Sequence, residues 1–537
     1  MSKIADYLGE RLTGEVAADV ATRENFSTDG SIFKVTPQLV VYPRTTNDIR
    51  KVVRFSWRLA ERGQAFPITA RGFGTDPTGA AIGSGAILSF ASHMSRILEL
   101  DVKSQMVRVQ PGLNINVLQE ALATHGLFLP VKPSEKFATI GGMLAQNISG
   151  SKYAKYGSML DQVDRIEVVL ANGEVIQTGR VNKRELSMKK GLQTMEGEIY
   201  RALDALIDEN IDSIDMFGRS SDVLNRAGFP IHLVKGSDGS FDLTPLIVGA
   251  QGTLGIINQA ILQLIQHPTE ITMVAATLTH DQATTEIIEK ITDLDPSEFR
   301  FIDGDTLNLI KKINGDTRWW KDTSKNESAA LIFMEFDDKH QARSIKKLTK
   351  LFETIGLTNF EIATNYEEQE RLRSIRDSVN AVSGFEERGT AALPIASNMS
   401  VAPSRVFEFA VEARKVLSHN HIDGGIWGDL GSGVITVKPL INLANLGQRQ
   451  TVFKFIREMH EKVIEFNGSI SGEFGDGRLN APFAVEQYGN SMLEIFTKIK
   501  NIFDPYNMLN PNVKIGTTRD DLLKNMRQEY SANKIVF

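Results

Sequence analysis

Residues Ser471–Asn480 read SGEFGDGRLN, three glycines, two acids and an arginine around Phe474. Glycine lets the backbone adopt positive φ and approach a ligand closely. Beside such a turn, Glu473 or Asp476 could bind a metal, hold a hydroxyl or pair with a cation. A phenyl ring can do none of these, so Phe474 is the residue to explain.

Three further stretches carry glycines in loop-like settings. The first is RGFGTDPTG, Arg71–Gly79. It lacks the dinucleotide-binding spacing, because its third glycine falls too late, and it lacks the Gly-Lys-Ser/Thr of a phosphate loop. Small residues after a buried strand can still turn several N–H groups toward one anion. Arg71 and Thr75 could add donors; a plain surface turn is the alternative. The second, ATIGGMLAQNISG, offers side-chain hydrogen bonds from Thr139 and Asn147 and close backbone approach at Gly141, Gly142 and Gly150. The third, QGTLGII, contains Gly252 and Gly255. Together they exceed what tight turns need, but they do not identify a ligand.

Composition narrows the chemistry. The 537 residues are 42% hydrophobic and 23% charged, with a net charge of −6, enough for two or three domains with large cores. No basic run is present, which argues against nucleic-acid binding. There is no cysteine, so disulfides, thiolate zinc sites, cysteine nucleophiles and protein-held iron–sulfur clusters are excluded. Redox chemistry would need an organic cofactor or a metal on His, Asp or Glu. The N-terminus has no apolar signal-peptide core. The uncharged run Leu243–Gln266 is long enough to span a bilayer, but its glutamines and glycines predict two buried strands around a tight turn. A cytoplasmic protein without a transmembrane segment is expected; peripheral membrane contact stays open.

The elements that must position these residues are legible in outline. LVVYP and AFPITA are strands flanking a helix capped at Thr45 or Thr46, an α/β unit. AILSF, ILELD and MVRVQPG follow as strands, then a helix in NVLQEALATHG and a strand with an Asn172-Gly173 hairpin signal. After His267-Pro268, spaced strands alternate with helical segments, which predicts an α+β unit on an antiparallel sheet over about 270–440. Helices are expected over Leu446–Phe466 and before Asp504-Pro505. Asp377, Glu386 and Glu387 read as helix-surface acids, His421 as a strand residue, and the last twenty or so residues as a polar tail or surface arm.

Taken in order, VVYPRTTNDI, RGFGTDPTG, VRVQPG, ATIGGMLAQNISGSKYAKYGSMLDQV, IVGAQGTLGII, SGEFGDGR and FDPYNMLNP resemble the signature series of the FAD-linked oxidases of the vanillyl-alcohol oxidase/PCMH superfamily. The D-lactate and D-2-hydroxyacid dehydrogenase branch is the nearest likeness, over about 35–516. The resemblance implies an α+β fold, with a PCMH-type FAD-binding domain of two α/β subdomains and an inserted α+β cap on an antiparallel sheet. It implies FAD-binding over 1–267, a cap over 268–465, a returning segment over 466–516 and a tail over 517–537. It further implies FAD held at Arg71, Gly72, Phe73, Gly74, Thr75 and Asp76 around the pyrophosphate. Further contacts fall at Pro133, Thr139, Gly141, Gly142, Asn147, Gly150, Tyr156, Gly157, Gly252, Gly255, Ile256, Ile257 and Asn510. The histidine of covalent attachment in some relatives is absent from RGFGTDPTG, which implies non-covalent FAD. The implied reaction is hydride transfer from a 2-hydroxy acid, or a related hydroxyl substrate, to flavin N5.

The catalytic motif departs from that branch. There, two cap histidines and a glutamate hold a divalent metal, and the histidine after the glutamate is the base. Here WGDLGSGVITVKPL puts Asp429 and Thr436 at the metal-histidine positions; Glu473 is retained, and Phe474 stands at the base. No metal site is expected, although Asp429 and Glu473 could hold a hard cation or form a solvated acid pair. Arg376 matches the arginine that grips the substrate carboxylate, with a surface helix charge as the alternative; Lys438 is a further candidate cation. Glu473, Asp476, Tyr488 or water could replace the base. Gln251 replaces a usual glutamate. Two functions remain open: a flavin-dependent oxidoreductase on a small-molecule substrate, or a flavin-binding protein without hydroxy-acid turnover, in regulation, electron relay or structure. The electron acceptor could be a quinone, a partner protein or oxygen.

Overall fold

The computed structural model describes residues 3–133, 137–218, 223–314 and 328–531. The chain first builds a four-stranded sheet in the order Glu15–Ala17, Leu39–Tyr42, Ala86–Ser89, Ile68–Arg71, the last three parallel. The crossover helix Thr46–Ala60 starts at a capping box, Thr45 with Asp48, and buries Ile49, Val52, Val53 and Ser56 at helical spacing. A five-stranded antiparallel sheet follows, with Ile256–Gln263 at its centre. Ile256, Asn258, Ala260 and Leu262 of that strand alternate inward. Met508–Asn510 returns to the first sheet: Ile68 donates to the Met508 carbonyl and Asn510 to that of Ile68, each at 2.8 Å.

The third sheet is antiparallel, nine-stranded among the described residues, and runs from Thr272–Thr279 to Val434–Asn442 in sequence. Its strands have two unlike faces. Phe299 and Phe301 point into a core with helices Thr285–Thr292, Gln341–Thr354, Val406–His419 and Leu446–Glu465. Glu298, Arg300 and Ile302 alternate to the other face. There Ile302, Leu331, Phe333 and Trp427 pack under helices Gly304–Asn314, Tyr366–Arg376 and Val379–Ser383. The register aligns Glu298 with Glu335, Arg300 with Asp429, and Trp427 with Thr436, so one polar patch adjoins that apolar cluster.

Several expectations need correction. Leu243–Gln266 is not two strands around a tight turn. Its first part is the helix Thr244–Ile247, because Pro245 pre-sets helical φ and Asp242 accepts from the Thr244 amide at 2.7 Å. The glycine-rich segment Ala138–Gly150, expected as a loop, contains the helix Ile140–Gln146, capped by Thr139. Glu386 and Glu387 lie on a strand, and Asp377 ends a helix paired with Arg376. His421 occupies a turn at φ 53°, outside any strand. The end of the chain, as far as residue 531, is an anchored arm. Helix Arg519–Asn525 precedes Met526, which bridges Phe33, and Tyr530 donates to the Gly30 carbonyl at 3.0 Å.

Candidate functional site

A cavity of about 1490 Å³ lies between the glycine loops and the polar patch of the third sheet. On the loop side it is lined by Arg71–Asp76, Pro133, Thr139, Gly141, Gly142, Gly150, Gly252, Gly255 and Ile257. Residues 134–136 lie outside the described residues. Close packing explains the small residues. A Cβ on Gly72 would stand 2.2 Å from Thr139 Oγ1, and one on Gly74, at φ 73°, would meet the Arg71 guanidinium at 2.2 Å. Among the described residues, the N–H groups of Gly74, Thr75 and Asp76 donate to no acceptor in the chain. Consecutive unengaged amides at a cavity wall suit an anion.

The loop's charged side chains turn inward instead of toward the cavity's contents. Arg71 donates to the carbonyls of Thr28 at 2.8 Å and Ala81 at 3.2 Å, and burial lowers its pKa to about 10. Asp76 accepts from the Ala80 amide and from Gln146, each at 2.5 Å. Burial, and then the charge of Asp29, push Asp76 up to about 7. These side-chain bonds shape the loop and leave its backbone amides to face a ligand.

Five expected cofactor contacts do not line the cavity. Asn147 ends a helix at φ 52° and accepts from the Leu160 amide at 3.0 Å. The Tyr156 hydroxyl donates to the Asp337 carboxylate at 3.1 Å. Gly157 sits against Asp161, and Ile256 is buried in its sheet. Asn510 accepts from Thr69 at 3.0 Å and donates to the carbonyls of Ala80 and Gln251. These residues brace the segments that carry the wall.

Ser471–Asn480 joins the two sides. Its Asp476 is buried, bonded to Ser471 at 2.8 Å and the Gly228 amide at 2.8 Å, and paired with Lys514 at 3.3 Å. Gln251 accepts from the Gly477 amide at 2.9 Å and donates to Gln146, so it ties this loop to the first two glycine loops. Glu473 lines the cavity and accepts from the Ser149 and Gly150 amides at 3.2 and 3.0 Å. Burial raises its pKa against the pull of those amides and Arg226. Phe474 also lines the cavity. Asn398 grips its backbone from both sides, accepting from its N–H at 2.6 Å and donating to its carbonyl at 2.9 Å. The ring packs on the core of the glycine-loop part, forming an apolar wall.

On the sheet side, Arg300, Arg373, Arg376, Trp427, Asp429, Thr436 and Lys438 line the cavity. Arg376 is not a surface charge, and its guanidinium is engaged mainly by carboxylates of the chain. It is 5% exposed, donates to both Glu298 oxygens at 2.9 and 3.0 Å, and pairs with Asp377 at 2.8 Å. Burial alone would lower its pKa, but Glu298 and Asp377 raise it. Asp429 is buried, not solvated; its Oδ1 accepts from the Ser432 amide at 2.7 Å, and burial pushes it up to about 7. Among the described residues no cluster of three or more His, Asp or Glu could hold a metal. Tyr488 is buried off the cavity, donating to Asn225 at 2.9 Å. Sequence reading missed Lys132, Arg300, Gln146, Asn398, Tyr530 and His267. His267 is exposed at the cavity mouth with its ring 5.3 Å from Phe128. Only Arg300 carried a local signal, a charge alternating with Phe299 and Phe301.

The family described as FAD binding domain matches residues 37–179, and FAD linked oxidases, C-terminal domain, matches 267–513. D-2-hydroxyglutarate dehydrogenase of Haemophilus influenzae is 26% identical over 96% of this chain and 52% of that protein. The chain thus spans about half the length of the D-2-hydroxyglutarate dehydrogenases it matches. D-lactate dehydrogenase of Archaeoglobus fulgidus is 23% identical over 88% of this chain and 90% of that one. The solved structure of p-cresol methylhydroxylase with substrate bound shares the fold at TM-score 0.68 and 15% identity, covering 96% of this chain and 97% of its own.

Proposed function

Because the chain belongs to the FAD-linked oxidases of the vanillyl-alcohol oxidase/PCMH superfamily, with FAD as its cofactor, we propose that it oxidises the hydroxyl of a small 2-hydroxy acid. One observation carries this reading. A single cavity joins the amide-lined glycine loops to a cation-bearing sheet face, with Glu473 and Phe474 between them.

The loop side fits FAD: its unengaged amides suit a pyrophosphate, and its glycines leave no room for side chains between backbone and ligand. The Gly72–Asp76 loop, Pro133, Gly141, Gly142, Gly252 and Gly255 would hold it. Bound FAD would supply the two-electron acceptor. The chain's own residues then orient the substrate. Of the three side chains considered as replacement bases, only Glu473 lines the cavity. Two amides fix its position, and burial raises its pKa, which makes it a stronger base than an exposed carboxylate. Phe474 keeps water from that junction. The reaction so formed needs neither metal histidines nor an imidazole base. The electron acceptor stays open among a quinone, a partner protein and oxygen. No helix among the described residues is long and apolar enough to cross a membrane.

The test is a visible spectrum of the purified protein, then anaerobic addition of D-lactate, glycolate, D-2-hydroxyglutarate and aldonates. Bleaching of the flavin by one of the acids is expected. A yellow protein that none of them reduces would favour a flavoprotein without hydroxy-acid turnover, and a colourless one that takes up no FAD would overturn the cofactor side as well.

A further inference from the structure

An anionic substrate is held where cations lack partners inside the protein. Most cations bordering the cavity have them. Lys152 binds Glu335 at 2.5 Å and Asp337 at 2.8 Å. Arg373 binds Glu370 at 2.6 Å, and Arg376 binds Glu298 at 2.9 Å and Asp377 at 2.8 Å. Lys438 is also engaged.

Arg300 and Lys132 differ. The nearest carboxylate oxygen to Arg300 is Glu298 Oε1 at 3.9 Å, beyond hydrogen-bond length, and that carboxylate is already taken by Arg376. Among the described residues the Arg300 guanidinium donates no hydrogen bond, and Lys132 makes no side-chain hydrogen bond or ion pair. Both line the cavity, Lys132 from the segment before Pro133 and Arg300 from the sheet. Arg300 stands opposite Asp429 in the register, two residues along its strand from Ile302 and the apolar cluster. Its charge acts on Asp429, and less on Asp377 and Glu473. Lys132 is an exposed residue; desolvation at the cavity and then Arg376 lower its pKa, while Glu298, Glu335 and Asp377 raise it. Arg300 is half-buried with its N–H groups unused, and an arriving anion would satisfy them. A guanidinium with free donors matches a carboxylate in two-pronged geometry.

We propose that Arg300, with Lys132 from the loop side, receives the carboxylate of the substrate, and that Arg376 serves as a structural ion pair. The inference rests on the hydroxy-acid reading above and assigns the residues that make an acid, in place of a neutral alcohol, the preferred substrate.

The experiment uses full-length FAD-loaded protein and oxalate as a non-oxidisable probe, followed by perturbation of the flavin absorbance. Arg300→Gln should raise the oxalate Kd about 10- to 100-fold, the loss of a charged hydrogen-bonding partner. It should raise KM for the acid that reduces the wild type by a similar factor, with kcat much less affected and FAD content unchanged. Lys132→Met should act in the same direction more weakly. Arg300→Lys, which keeps the charge without the fork, should lie between, and is the variant read if Arg300→Gln loses FAD. Oxalate Kd and KM within twofold of wild type in both Arg300→Lys and Lys132→Met would overturn the clamp while the oxidase reading stands. A wild type that neither binds oxalate nor is reduced by any acid would overturn the reading and the clamp together.

Discussion

The two sides of the cavity are built from different materials. The loop side is backbone: glycines pressed against Thr139, Arg71 and Pro111, with amides facing inward. The sheet side is charged side chains balanced against one another, Glu298 with Arg376 and Glu335 with Lys152. A backbone wall has one geometry and tolerates little change. A side-chain wall can be rewritten one residue at a time as long as its charges stay paired. That contrast accounts for near-complete glycine motifs beside a catalytic motif without its imidazoles.

The contrast is broken hardest at its joint, Gly150. Its φ is 70°, a Cβ there would stand 2.5 Å from the Lys132 carbonyl, and its amide holds Glu473. Gly150→Val should lower the flavin-to-protein absorbance ratio to less than about a tenth of wild type, as expected where φ and backbone contact both forbid a side chain. Normal FAD content would show that the loop side adapts as freely as the sheet side. Glu298→Gln attacks the sheet side alone. Leaving Arg376 buried without its carboxylate should cost about 3–5 kcal/mol in urea unfolding, with FAD affinity little changed.

Titration sharpens the comparison, because each side contains one carboxyl pushed up to about 7, Asp76 and Asp429. Each holds its proton in the fold after the unfolded chain, near the ordinary 3.8, has released it. Between about pH 4 and 7 the unfolded state therefore binds fewer protons, and stability declines as pH rises through that window. Asp429→Asn should remove its share of the decline, so the variant gains on the wild type from pH 4 to pH 8 in thermal melts. The Asp76 share should remain. A parallel pH profile for variant and wild type would place the titration elsewhere.

The smallest effect is expected at the arm. Tyr530 lines the cavity and bonds Gly30, whose N–H donates to the Gly74 carbonyl at 2.9 Å. Arg527 reaches the carbonyls of Asp29 and Phe33. Tyr530→Phe should weaken FAD about two- to fivefold, the loss of one hydrogen bond from a braced loop, measured by flavin fluorescence. An unchanged Kd would make the arm a bystander to the loop side.

Legibility in the sequence follows the same division. Glycine demands are local, so RGFGTDPTG, ATIGG and QGTLG could be picked out without knowing their neighbours, and the resemblance supplied their ligand. Motif membership does not say which way a side chain turns, so the inward bonds of Asn147, Tyr156 and Asn510 are not legible in it. Nor is the pairing of Arg376, because Glu298 lies 78 residues away in the chain. Phe474 stood out as a departure, but the Asn398 clamp on its backbone crosses 76 residues and leaves no local trace.

By itself, the sequence determined the glycine-rich segments, the antiparallel sheet after residue 267 and the missing cysteines, since these depend on residue type, period and order along the chain, and the resemblance added the missing imidazoles. The tertiary structure decided which charges are paired. Glu473 meets the Gly150 amide, Arg376 meets Glu298, and the Arg300 and Lys132 side chains donate no hydrogen bond among the described residues. Electrostatic energy depends on distance in space and on burial, and segments from 132 to 473 come together only when the two sides of the cavity close on each other.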